Sequence, residues 1–131
     1  MDAKVSEIVR FAEGITGKDD LLVFLTADHG IDIGDYYDFI GHGASLYDVE
    51  TNVPLIARYP GYFKRGITDT GSRSMTDIFP TVMEILGLDF KGYADVKIQG
   101  RSLIAAGNKG DKRKQHGSHV GSQLQAFSCT V

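Results

Sequence analysis

The run LLVFLTA at residues 21–27 ends directly on Asp28-His29-Gly30. A continuous apolar run of this length is the mark of a strand covered on both faces, as in a parallel sheet. Ahead of it, Val5, Ile8, Val9, Ala12 and Ile15 recur with the spacing of one helix face. That spacing predicts a helix over 3–15, with Asp2 as N-cap and Gly17 as the stop. Helix, short polar turn (GKDD) and buried strand together make the second half of a βαβ unit. In open α/β sheets, ligands sit outside the carboxyl ends of the strands, so the Asp28-His29-Gly30 tripeptide falls where a site is expected.

The rest of the chain is read from its punctuation. Residues 31–43 (IDIGDYYDFIGHG) follow neither the helical nor the strand period and predict an irregular functional loop. A short helical turn is expected within 44–50. VPLIARY at 53–59 predicts a second short buried strand, closed by the Pro60-Gly61 turn. A helix is expected over 77–86, capped by Thr76 or Asp77, with Pro80 in its first turn and Gly87 as its stop. Its apolar side comprises Ile78, Phe79, Val82, Met83, Ile85 and Leu86. Residues 107–131 are polar, rich in Gly, Ser, Lys and Gln, and expected to be a disordered tail.

Composition sets the outer limits. One domain at most fits 131 residues, and 42% hydrophobic with 24% charged residues is ordinary for a globular protein. A net charge of -3 gives no reason to expect a nucleic-acid partner. No apolar run approaches the roughly 20 residues of a membrane span. MDAKVSEIVRF lacks the layout of a secretory signal. Cys129 is the one cysteine and has no internal disulfide partner.

Three side chains are candidates for chemistry. Asp28 and His29 offer a carboxylate oxygen and an imidazole nitrogen on a rigid strand end, a donor pair suited to a divalent cation. The alternative is an aspartate capping the next turn, with His29 at the surface. His42, between two glycines, suits contact with an anionic oxygen, proton donation to a leaving group or metal ligation; the alternative is a solvent-facing loop histidine. Asp32, Asp35 and Asp38 recur every third residue without the glycine and glutamate of an EF-hand loop, and are expected to be solvated. Tyr36, Tyr37 and Phe39 are expected to pack or to wall a pocket. Lys64 and Arg65 form an exposed basic pair, and His116 and His119 are assigned no site. No phosphate loop or Ser-His-Asp layout is recognisable.

The order of short segments resembles the sulfatases of the alkaline phosphatase superfamily. The segments are LVFLTADHG at 22–30, GHGASLYD at 41–48, VPLIARYPG at 53–61, TDIFPT at 76–81, EILGL at 84–88 and GRSL at 100–103. Each is common; the ordered set is specific. The resemblance covers about residues 2–106 and implies an α/β fold, a partial doubly wound mixed sheet of the alkaline phosphatase-like type with helices flanking few strands. Residues 1–106 are then expected to be the C-terminal segment of a sulfatase-type catalytic domain, followed by the 107–131 tail.

By this resemblance Asp28 and His29 are metal ligands, and His42 contacts the sulfuryl group or the leaving oxygen. The implied cofactor is one divalent ion, Ca²⁺ first and Mn²⁺, Mg²⁺ or Zn²⁺ otherwise, and the implied substrate is a sulfate ester. Family enzymes attack sulfur with a formylglycine made from Cys or Ser in a C/S-x-P-S/A-R motif of the N-terminal half; this sequence lacks that motif. The chain alone is therefore expected to be inactive unless the other half complements it, and half a sheet is expected to self-associate. Two other readings stand beside this one. The Asp-His pair also suits a phosphoester or phosphonate hydrolase or phosphotransferase of the same superfamily, and the chain could be a non-catalytic, partner-binding remnant.

Overall fold

The computed structural model describes residues 2–35, 40–43, 45–69, 71–89, 98–104 and 122–123. Helix α1 spans Asp2–Thr16, and the Gly17 N–H closes it on the Glu13 carbonyl at 2.9 Å. Strand β1 follows at Val23–Thr26. Two short strands, β2 (Asp32–Ile33) and β3 (Ile40–Gly41), pair next, and then the one-turn helix α2 at Asp48–Thr51. Strand β4 (Leu55–Arg58) pairs antiparallel with β1, from Val23 opposite Arg58 to Thr26 opposite Leu55. Strand β5 (Ser72–Arg73), a 3₁₀ turn at Met75–Asp77 and helix α3 (Ile78–Ile85) complete the ordered run, and β6 (Ser122–Gln123) pairs with β5.

The described residues form a small α/β arrangement of three two-stranded antiparallel ladders with helices. The apolar run at 21–27 was expected to be buried on both faces. Only its central four residues are strand, and all are at least partly exposed, because β4 is the one strand paired with it among the described residues. The expected irregular loop at 31–43 contains instead the β2–β3 pairing, and Asp32, in β2, braces the turn that follows it. Asp32 is buried, and its Oδ1 accepts the Gly34 and Asp35 N–H groups at 2.9 Å each. The expectation of a solvated Asp32 is thus corrected: its carboxylate is spent on the backbone of the turn. Asp35 is exposed, as expected. Tyr36, Tyr37, Asp38 and Phe39 lie outside the described residues, as do His116, His119 and Cys129. Most of the 107–131 tail also lies outside them, but Ser122 and Gln123 are held in a ladder.

The core is compact and one-sided. Leu55 and Leu103 are buried, with Phe24, Phe63 and Ile78 packed against them. Burying one leucine side chain contributes about 1.5–3 kcal/mol, so this cluster anchors β1, β4, α3 and the 98–104 segment together. The Arg58 guanidinium, 2.6 Å from Glu13 Oε1, ties α1 to the far end of β4. The opposite side of α1 is uncovered: Ile8, Phe11 and Ile15 are 67%, 73% and 71% exposed.

Helix α3 starts differently from the sequence expectation. Ser74 is the cap of the preceding 3₁₀ turn, and Asp77 answers it in a capping box, accepting the Ser74 N–H at 3.0 Å. Buried inside the helix are Pro80 and Thr81 rather than Phe79 or Leu86, which are about half exposed or more. The reason lies in the GRSL segment. Arg101 N–H donates to Asp77 Oδ1 at 2.9 Å, and Leu103 N–H donates to Thr81 Oγ1 at 2.9 Å. Gly100 lies so close that a Cβ there would sit 1.9 Å from the Thr76 carbonyl oxygen. TDIFPT and GRSL are two halves of one clasp. At its other end α3 closes in a Schellman motif, with Gly87 N–H on Glu84 O and Leu88 N–H on Met83 O.

Candidate functional site

The candidate site is built where β1 stops. Antiparallel pairing sets the end of β1 beside the start of β4, and α2 lies just before β4 in the chain. Gly30 N–H donates to the Glu50 carbonyl at 2.8 Å, which holds the turn after β1 against α2. A Cβ on Gly30 would lie 1.9 Å from the Val49 carbonyl oxygen, so only glycine permits this approach. Thr26, the last residue of β1, also reaches Met75 Sδ at 3.2 Å. Around this junction lies a cleft of about 370 Å³ whose lining includes Asp28, His29, Ser45, Glu50, Val53 and Met75.

Asp28 is exposed, and its Oδ1 accepts the His29 N–H at 3.0 Å. His29 Nδ1 lies 2.8 Å from the Gly30 carbonyl oxygen. A carbonyl can only accept, so this bond places a ring proton on Nδ1, and in the neutral ring Nε2 then carries the lone pair. Nε2 faces Asp28 Oδ2 at 3.6 Å.

His42 joins them. Its ring lies against that of His29, with centroids 4.2 Å apart and planes 24° from parallel. The three residues singled out in the sequence are therefore brought together at one strand end. What the sequence reading missed is Glu50. It is 4% exposed, its Oε2 accepts the Gly43 N–H at 2.6 Å and its Oε1 accepts the Ser45 hydroxyl at 2.7 Å. A single glutamate in a polar stretch carries no periodic signal, so only the fold reveals it. Among the described residues, no cluster of three or more His, Cys, Asp or Glu side chains is assembled that would hold an ion by itself. The described residues thus group one carboxylate and two imidazoles at the end of β1. Among the described residues no helix is long and apolar enough to cross a membrane.

The sulfatase family model matches residues 1–88 of the 131, which takes in β1, the Asp28-His29-Gly30 turn, His42 and α3. The chain belongs to the sulfatase family. Among curated relatives, this sulfatase-family chain is 27% identical over 103 residues to an N-acetylglucosamine-6-O-sulfatase of Bacteroides thetaiotaomicron, covering 79% of the chain and 17% of that protein. It is 31% identical over 103 residues to the multifunctional alkaline phosphatase superfamily protein PehA of Trinickia caryophylli, covering 74% of the chain and 18% of that protein. It is 29% identical over 97 residues to human arylsulfatase K, covering 71% of the chain and 18% of that protein. The sulfatase-family chain thus spans under a fifth of the length of these relatives. No solved structure gives a significant match.

Proposed function

We propose that this chain contributes the cation-binding and leaving-group side of a sulfuric ester hydrolase site. The observation that carries the reading is the grouping at the end of β1, where His29 Nδ1 is engaged by the Gly30 carbonyl, Nε2 stands 3.6 Å from Asp28 Oδ2 and His42 is stacked alongside. Asp28 and His29 hold one divalent cation, Ca²⁺ by family analogy, with Mn²⁺, Mg²⁺ or Zn²⁺ as alternatives. When bound, that ion neutralises charge on the sulfuryl oxygens as the ester bond breaks. His42 contacts the sulfuryl group or donates a proton to the departing oxygen. Its stacking against His29 supports this assignment.

The segment corresponds to the C-terminal part of a sulfatase catalytic domain, within a doubly wound sheet that the rest of such a domain completes. The nucleophile and the remaining metal ligands come from outside these residues. Isothermal titration of the chain with Ca²⁺ and with Mn²⁺ tests the cation. Saturable binding in wild type that weakens in Asp28→Ala supports the reading, and equal heats in the two proteins refute it.

A second reading has its own support. The 31% identity to a multifunctional alkaline phosphatase superfamily protein favours phosphoryl as an alternative transferred group. Once the complementary half is supplied, assays with an aryl sulfate and an aryl phosphate separate the two.

A further inference from the structure

We infer that Glu50 is a positioning residue that sets His42 against His29 by clamping the two loops that carry them. This rests on the site reading above but adds a residue with a distinct role. The carboxylate is buried, and both of its oxygens are engaged by the second loop, by Gly43 N–H and by the Ser45 hydroxyl. The carbonyl of the same residue receives Gly30 N–H from the first loop. One residue therefore bonds the neighbour of His29 and the neighbour of His42.

The chemistry of the group suits this task. A carboxylate accepts on both oxygens, so it satisfies two donors that converge from one loop. Hydrogen bonds to an ionised acceptor are about twice as strong as neutral ones. Burying a carboxylate is nevertheless costly without such bonds, and an apolar residue would fill the same space at lower cost. With each oxygen accepting a bond from the 43–45 segment, Glu50 is placed to hold that loop. Loss of the clamp frees Gly43, and with it the backbone that aims the His42 ring.

Imidazole proton NMR of the full chain tests this at one fixed pH with both rings neutral. The displacement of the His29 ring protons on His42→Ala defines the mutual ring-current shift of the stacked pair. Glu50→Ala is expected to abolish that shift while the methyl signals of Leu55 and Leu103 stay in place. A Glu50→Ala protein that keeps the full shift overturns the inference. Should Glu50→Ala also move the core methyls, Ser45→Ala decides, since it removes one bond to the carboxylate and leaves the core. A reduced stacking shift in Ser45→Ala sustains the clamp, and an unchanged one overturns it. Mn²⁺ added to wild type provides a separate arm. If it fails to broaden the His29 signals while Glu50→Ala still separates the rings, the cation reading fails and the positioning role stands.

Discussion

The ring of His42 rests on the ring of His29, 4.2 Å between centroids, although twelve residues lie between them in the chain. Neither residue is on a long element. Their meeting depends on the turn after β1 and on the loop before α2 being fastened to each other.

Asp28→Ala is expected to weaken Ca²⁺ or Mn²⁺ binding. Removing even an outer-shell partner of a metal ligand lowers affinity about 10–100-fold, so loss of a ligand itself should cost at least about tenfold. Titration calorimetry of the two proteins side by side reads the difference. His29→Ala should show a loss of the same order if Nε2, 3.6 Å from Asp28 Oδ2, is the second donor of the proposed site.

Gly30→Ala should destabilise the junction between β1 and α2. The added methyl would sit 1.9 Å from the Val49 carbonyl oxygen, and backbone cannot move aside as a side chain can. Overpacking of this kind costs about 1–3 kcal/mol. A urea melt followed by circular dichroism should show an earlier midpoint; an unchanged midpoint would mean that the two segments are not in contact in solution.

Thr81→Val keeps the shape of the side chain and removes its oxygen. The buried Leu103 N–H would then lose its acceptor, at a cost of about 1–3 kcal/mol. Hydrogen exchange at the Leu103 amide is the direct readout, and its protection should fall in the variant. Persistent protection would contradict the clasp between α3 and the 98–104 segment.

Phe11→Glu is expected to reduce self-association. The exposed side of α1 presents Ile8, Phe11 and Ile15 without cover among the described residues, and contiguous apolar surface of this kind drives association. Light scattering across a concentration series should show larger species for wild type than for the variant. A wild-type chain that remains monomeric throughout would remove the premise.

The sequence was most legible where a residue type has one dominant physical use. Periodic apolar residues announced α1, and the observed helix differs from the expectation by a residue at each end. The strand at 53–59 was found as Leu55–Arg58, and Gly17 and Gly87 close the helices expected to stop there. Asp28, His29 and His42 were legible because the strand end and the flanking glycines drew attention to them. Polar residues that act through partners distant in sequence were not. Asp32, Glu50 and Thr81 are all buried, yet each sits in a stretch whose pattern reads as loop, surface or an unremarkable helix position.

Local covalent preferences are what the sequence by itself determined: where helices start and stop, which short runs extend as strands, and which side chains carry metal-compatible donors. Those properties depend on neighbours within a few residues and need no knowledge of the rest of the chain. The antiparallel partner of β1, the stacking of His42 on His29, the grip of Glu50 on the His42 loop and the docking of GRSL on α3 were decided only in three dimensions. Hydrogen bonds act over about 3 Å, so which donors meet which acceptors depends on the packing that brings separate segments within that distance.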